Sequence, residues 1–251
     1  MVKLAFDRGG DGERLIVLLH GLGATRQVWR PMLDAARWRG SWLAPDLRGH
    51  GASPHAASYA LGQHAADVAD LVQACGDWRE IVVVGHSMGG VVGLALASGW
   101  FGVKPARVFG VGIKVAWSDA ELLRLGEMAA APARSFASKD EAVSRYLKVS
   151  GLAALADPAS PVAQAGVVQG DGGWRLAADP KTATVGAPPM TALIAAAEAS
   201  FHLARGQNDA MMTREQLRAY DQRATDLPGL GHNAMVEDPD AVWRWIEGRL
   251  T

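Results

Sequence analysis

The chain is predicted to be an α/β protein, a doubly wound, mostly parallel sheet with a helical lid inserted after the sixth strand. Three observations predict it. Short apolar runs such as Leu15–Leu19 and Ile81–Val84 carry no polar alternation, which suits strands covered on both faces. Stretches of helical period, such as Leu61–Ala74, separate them, which is the pattern of a parallel sheet sandwiched between helices. The alternation stops after Val115 and resumes near Met190, so the segment between is an insertion.

Taken in order, Val2–Phe6 alternates weakly and reads as an edge strand, and Gly9-Gly10-Asp11-Gly12 as a turn. Leu15–Leu19 is a buried strand that ends in the glycine-rich loop His20–Thr25. Val28, Trp29, Met32, Leu33 and Ala36 then recur at helical spacing. Trp42–Ala44 is a short strand running into the loop Pro45–Ser53, and Leu61–Ala74 is a helix. Ile81–Val84 and Arg107–Val115 are further strands, with a small apolar helix after Ser87 between them. Two helical patterns, Ala120–Ala130 and Lys139–Leu155, and a Pro/Gly-rich tail fill the insertion, where no core strand stands out. Met190–Ala197 and Thr213–Tyr220 are helices; Ser200–Ala204 and Ala224–Leu227 are strands. The last helix takes Asp238 as its N-cap and Pro239 at its first position. Residues 1–116 and 188–251 are thus expected to form the core and 117–187 the lid, as one structural unit.

Composition bounds the function. A net charge of −1 with no long run of one sign lacks the electrostatic footprint of a nucleic-acid binder. No apolar stretch is long enough for a membrane span, and Met1–Arg8 contains no apolar signal-peptide core, so a cytoplasmic location is expected. The single Cys75 cannot form an internal disulfide and reads as a small core residue. Neither a CxxC nor an HExxH pattern occurs, so no metal and no cofactor are expected.

Chemistry concentrates around Gly85-His86-Ser87-Met88-Gly89, which fits G-x-S-x-G between a strand and a helix. So tight a strand-to-helix turn leaves no room for side chains two positions either side of Ser87, and it holds the hydroxyl beside unpaired helix N–H groups. A serine is a poor nucleophile without an adjacent base, and the base needs an orienting acid. Asp209 and His232 each follow a predicted strand and lie in glycine-rich turns, giving the order Ser…Asp…His. In a parallel sheet, loops at the carboxyl ends of the strands share one rim.

With these residues in place, the chain resembles the α/β-hydrolase superfamily, as a lidded serine hydrolase. The matching pieces are His20-Gly21-Leu22-Gly23, Asp46-x-Arg48-Gly49-x-Gly51-x-Ser53, Gly85-His86-Ser87-Met88-Gly89-Gly90, Gly206-x-x-Asp209 and Gly231-His232. They span nearly the whole chain outside the lid. The resemblance implies Ser87 as nucleophile, His232 as general base and Asp209 as the acid that orients it. It implies an oxyanion hole from the backbone N–H groups of Leu22 and Met88. Asp119 is the rival acid, because some relatives carry the acid after the preceding strand. By the same resemblance His20 and His86 hold loops; Asp46 and Arg48 are expected to tie a loop beneath the site through charge-assisted hydrogen bonds. His50, His55 and His64 read as loop or helix-surface residues, and His202 as structural.

A serine at the elbow excludes relatives that need aspartate there, the haloalkane dehalogenases and epoxide hydrolases. The expected activity is hydrolysis of a small or medium carboxylic ester, lactone or thioester with an apolar acyl part, the partner being that small-molecule substrate. Alternatives with the same triad are a carbon–carbon bond hydrolase, a cofactor-free perhydrolase and, as a different class, a slow-turnover small-molecule receptor. Trp117, Met128 and Met211 are candidate pocket walls or plain core. The sequence leaves oligomeric state open.

Overall fold

The computed structural model describes residues 2–36 and 38–250. In chain order the strands are β1 (Phe6–Gly9), β2 (Arg14–Leu19), β3 (Ser41–Pro45), β4 (Glu80–His86), β5 (Arg107–Val111), β6 (Val167–Gly170), β7 (Gly173–Leu176), β8 (Ser200–Gly206) and β9 (Thr225–Leu227). The helices are α1 (Arg30–Ala35), α2 (Leu61–Cys75), α3 (Met88–Leu96), α4 (Asp119–Ala130), α5 (Lys139–Val149), α6 (Pro161–Gln164), α7 (Met190–Ala196), α8 (Arg214–Arg218), α9 (Ala234–Glu237) and α10 (Pro239–Glu247). Seven strands form one sheet in the order β1-β3-β2-β4-β5-β8-β9, parallel except for the β1–β3 pair.

Continuous apolar runs are needed because both faces are covered. Ile16 and Leu18 of β2 join Trp29, Met32, Val242 and Ile246 in one buried cluster. Leu15, Val17 and Leu19 point the other way, into a cluster with Val68 and Val72 of α2 and Val91 and Leu94 of α3. Successive residues of a strand face opposite sides, so a strand between two helix layers must be apolar throughout. α10 starts as expected, with the Asp238 carboxylate accepting the Ala241 N–H at 2.8 Å. Among the described residues no helix is long and apolar enough to cross a membrane.

Several sequence expectations need correction. The first strand is Phe6–Gly9 rather than Val2–Phe6, because its antiparallel register runs from Phe6 opposite Pro45 to Gly9 opposite Trp42. Five strands, β1 to β5, precede the insertion, which thus follows the fifth strand of the sheet and not the sixth. β5 stops at Val111, where Gly112 turns with φ +67°. α5 stops at Val149, just before Gly151 takes φ +71°. The insertion is not purely helical: β6 and β7 form an antiparallel hairpin around Asp171-Gly172. That dipeptide between short β-prone runs is a hairpin signal that the surrounding glycines obscured. The insertion packs against the rest of the chain: Val143, Tyr146 and Leu147 of α5 are buried in the same cluster as Trp29 and Met32.

His50 and His64 are not surface residues; both are fully buried. With His20 they form a row beneath the rim, ring centroids 5.0 Å (His20–His50) and 6.5 Å (His50–His64) apart. Burial, reinforced by neighbouring imidazoles, pushes His20 down to about 4 and His50 and His64 down to about 3, so all three are neutral near pH 7. Arg48 pairs bidentately with Asp67 of α2 at 2.7 and 2.8 Å, and Asp46 accepts the Arg26 backbone N–H at 2.8 Å and its guanidinium.

Candidate active site

The site is built on backbone that side chains rarely adopt or cannot fit. Ser87 sits at φ +49°, the one non-glycine positive φ among the described residues. Such a conformation costs about 1–3 kcal/mol and survives where its surroundings enforce it. Here they do: the Ser87 N–H donates to Val111 O at 2.8 Å, and α3 packs directly on the sheet. A Cβ on Gly85 would lie 2.3 Å from Gly89 O, and one on Gly89 would lie 2.1 Å from Leu19 O. The flanking glycines are thus steric requirements of the turn.

The carboxylate and the imidazole arrive on adjacent turns. Gly206, at the end of β8, lets the turn carrying Asp209 lie against the turn carrying His232: a Cβ there would meet Gly231 O at 2.0 Å. His232 Nδ1 lies 2.8 Å from Asp209 Oδ2, and Asp209 Oδ1 accepts the Met211 N–H at 2.9 Å. Burial works to raise the Asp209 carboxyl, but the hydrogen bond and charge of His232, with the Met211 N–H, hold it below the usual carboxylate range. Asp119 is exposed at the start of α4 and is not bonded to His232. With Nδ1 engaged by the carboxylate, Nε2 of His232 is left to accept a proton.

Ser87 and His232 line one cavity of about 810 Å³, together with Leu22, Met88, Trp117, Met128 and Met211. Among the described residues no hydrogen bond joins Ser87 to His232; such bonds are often long in substrate-free sites and tighten on binding. The backbone N–H groups of Leu22 and Met88 donate to no acceptor among the described residues. A shallower groove of about 770 Å³ backs onto Asp209 and shares Trp117 and Met211, but holds neither Ser87 nor His232.

Arg205 and Asn233 escaped the sequence reading, and His86, expected to hold a loop, has a partner that the sequence did not name. Arg205 ties the acid turn together, donating to Asp209 O at 3.2 Å, Gln207 O at 2.6 Å and Met212 O, while pairing with Asp226 at 3.0 Å. His86 Nε2 donates to His232 O at 2.9 Å, and its ring meets the His232 ring edge-on at 4.7 Å. Burial, then the neighbouring His232, pushes His86 down to about 3. Asn233 donates to Ser150 O at 3.0 Å and so links the base turn to the insertion. An arginine adjoining a glycine turn was the one available signal; the other two contacts depend on folding.

The arrangement is a strained hydroxyl, two free N–H groups and an imidazole oriented by a carboxylate, all at the carboxyl rim of a parallel sheet. A family model described as "Alpha/beta hydrolase family" matches residues 16–245. The chain belongs to the alpha/beta hydrolase family. Among family relatives, Lipase LipV of Mycobacterium tuberculosis (strain ATCC 25618 / H37Rv) is 30% identical over 181 residues, covering 67% of this chain and 64% of the lipase. A protein of Variovorax paradoxus (strain S110) named as a carbamate hydrolase, RutD, is 40% identical over 111 residues, 43% of this chain and 40% of that protein. The chain thus spans less than two thirds of either curated relative. The solved structure of E-2-(acetamidomethylene)succinate hydrolase is similar in fold, with a TM-score of 0.80 at 19% identity over 98% of this chain and 94% of that one.

Proposed function

We propose that this alpha/beta hydrolase is a serine hydrolase cleaving a small or medium carboxylic ester, lactone or thioester through an acyl-enzyme on Ser87. The observation that carries the reading is the 2.8 Å His232–Asp209 pair, whose His232 lines the same cavity as the positive-φ serine. Its similarity to a lipase over two thirds of the chain is consistent with an ester substrate.

In this reading Ser87 Oγ attacks the acyl carbon while His232 Nε2 takes its proton. The Leu22 and Met88 N–H groups hold the oxyanion; removing one such donor typically costs a factor of about 10²–10³. The proton passes from His232 to the departing alkoxide or thiolate. Water, deprotonated by His232, then attacks the acyl-serine and releases the acid and the free hydroxyl. Asp209 keeps the imidazole in the Nδ1–H tautomer throughout. Residues 117–187 serve as the lid, placing Trp117 and Met128 over the cavity.

Replacing Ser87 with Ala tests the reading. Turnover of a p-nitrophenyl acyl ester should fall by about 10³-fold or more, with an unchanged circular dichroism spectrum. A folded variant that keeps activity within about tenfold would exclude Ser87 as nucleophile. Fast steady-state turnover in the parent protein separates an enzyme from a receptor, which would label once and stall. Product analysis with a β-diketone separates ester from carbon–carbon cleavage.

A further inference from the structure

The cavity sorts its charges. Residues 117–187 contain seven Lys and Arg and eight Asp and Glu, so the insertion as a whole is close to neutral. Yet four of its cations, Arg124, Arg134, Arg145 and Lys148, line the cavity, against two of its acids, Glu121 and Asp179. Those two acids are already committed. Glu121 accepts Lys114 Nζ at 2.8 Å, and that bond with the Ser118 contacts pulls its carboxyl down to about 2. Asp179 accepts the Tyr59 hydroxyl at 2.6 Å. Glu237, from the base turn, accepts the Gly231 N–H at 2.6 Å.

The four cations have no such partners. None forms an ion pair among the described residues; Arg134 lies over the Phe136 ring at 5.0 Å. All four are exposed, and Arg145 and Lys148, three residues apart on α5, share a helix face. The sheet side of the cavity is different: Met88 and Val91 present buried apolar surface beside Ser87. A ligand therefore meets an apolar wall beside Ser87 and, on the side of the insertion, solvent-exposed cations without ion pairs. With Lys114 the lining carries five Lys and Arg against three acids, Glu121, Asp179 and Glu237, so cations outnumber their counter-ions, and a bound anion relieves the remaining repulsion.

We infer that the substrate carries a fixed anion, a carboxylate or phosphate ester, at the end remote from the scissile bond, received by Arg124, Arg134, Arg145 and Lys148. The inference rests on the ester-hydrolase reading and adds the substrate class to it.

The test compares matched esters. On the acyl side, p-nitrophenyl octanoate is set against p-nitrophenyl hydrogen suberate. On the alcohol side, hexyl octanoate is set against octanoyl esters of 6-hydroxyhexanoate and of hexane-1,6-diol monophosphate, which separates carboxylate from phosphate. At about 0.01 M ionic strength, kcat/KM should be about tenfold or more higher for the anionic member of at least one pair. The advantage should shrink towards one at about 1 M salt, where the screening length is about 3 Å. It should also shrink in the triple variant Arg124→Gln, Arg145→Gln, Lys148→Gln. Arg30→Gln, which removes one positive charge from an exposed site outside the cavity, should leave the ratio unchanged.

Ratios below about twofold in every pair, or an advantage that survives the triple substitution, overturn the inference. The ester-hydrolase reading is judged separately, by whether Ser87→Ala abolishes turnover of the neutral esters. Should no ester be turned over, calorimetric binding of monomethyl suberate against methyl octanoate to the Ser87→Ala protein reads the same ratio, with the same threshold.

Discussion

Two helices face the same cavity and are made in opposite ways. All nine residues of α3 are buried; none of the twelve in α4 is. α3 contains Gly89, Gly90 and Gly93, each worth about 1 kcal/mol against helix formation, so only packing makes it a helix. Its glycines are spaces that neighbours occupy: an added Cβ would meet Leu19 O at 2.1 Å, Ile113 at 2.7 Å or Val83 at 3.0 Å. α4 depends on local chemistry instead. Ser118 and Glu121 form a capping box, Lys114 pairs with Glu121, and Leu123 and Met128 stay 69% and 56% exposed. The difference separates labour. The side that carries Ser87 is packed to one geometry, whereas α4 lies against residues 180–185 without burying any of its own residues fully.

The sharpest test of that division is a pair of aspartates. Asp209→Asn should lower ester kcat by about 10³–10⁴, because the amide no longer fixes the Nδ1–H tautomer of His232. Asp119→Asn, at the exposed start of α4, should leave kcat within about twofold. Steady-state kinetics on the two purified proteins decides it. A large loss from Asp119→Asn with none from Asp209→Asn would reverse the roles of the two halves.

The next effect is on stability. Gly89→Ala places a methyl carbon 2.1 Å from a carbonyl oxygen of β2, and backbone cannot swing aside as a side chain can. A cost of about 3 kcal/mol is expected, or a protein that does not accumulate in soluble form. Urea denaturation measures it.

Acid should likewise strike the core before the insertion. His20, His50, His64 and His86 belong to the core, and residues 117–187 contain no histidine. Burial lowers His20 to about 4 and the other three to about 3. An unfolded chain protonates these rings near pH 6.5, whereas the folded one does not until about pH 3–4, so unfolding takes up protons in between. Their contribution is intact above about pH 6.5 and is lost as pH falls from there towards 4, each ring adding up to about 1.4 kcal/mol per pH unit. Urea midpoints from pH 7.5 down to about 4.5 should fall steeply; a flat series would mean the rings are not buried as neutral imidazoles.

The same division explains what the sequence disclosed. The strand–turn–helix around Ser87 and the turns at Asp209 and His232 were legible because their glycines answer to backbone geometry, which local sequence records. Buried His50 and His64 were not, because each looks polar in its own window and is enclosed only when α2 and the Pro45–Ser53 loop close over it. Arg48 gave its charge but not its partner, since Asp67 lies nineteen residues on. In the insertion, helix positions were readable from period, yet the β6–β7 hairpin and the end of α5 were misjudged. Alanine-rich sequence with few large apolar anchors leaves tertiary contact to choose the boundaries.

The smallest predicted effect tests whether α4 is as loosely held as its exposure implies. Gly126 has nothing within 4 Å of an added Cβ and does not line the cavity, so Gly126→Ala changes helix propensity alone. The gain should be about 0.5–1 kcal/mol, opposite in sign to Gly89→Ala in the neighbouring helix. Where that gain registers is informative. If α4 unfolds with the core, the global melting temperature rises by about 2–4 °C. If α4 opens by itself, the melting temperature stays put, and amide hydrogen exchange within residues 119–130 slows by about two- to fivefold. The second outcome is expected, because a helix with no buried residue has little to couple it to the sheet. A rise in melting temperature without local slowing would place α4 in the same cooperative unit as α3 and remove the contrast between them.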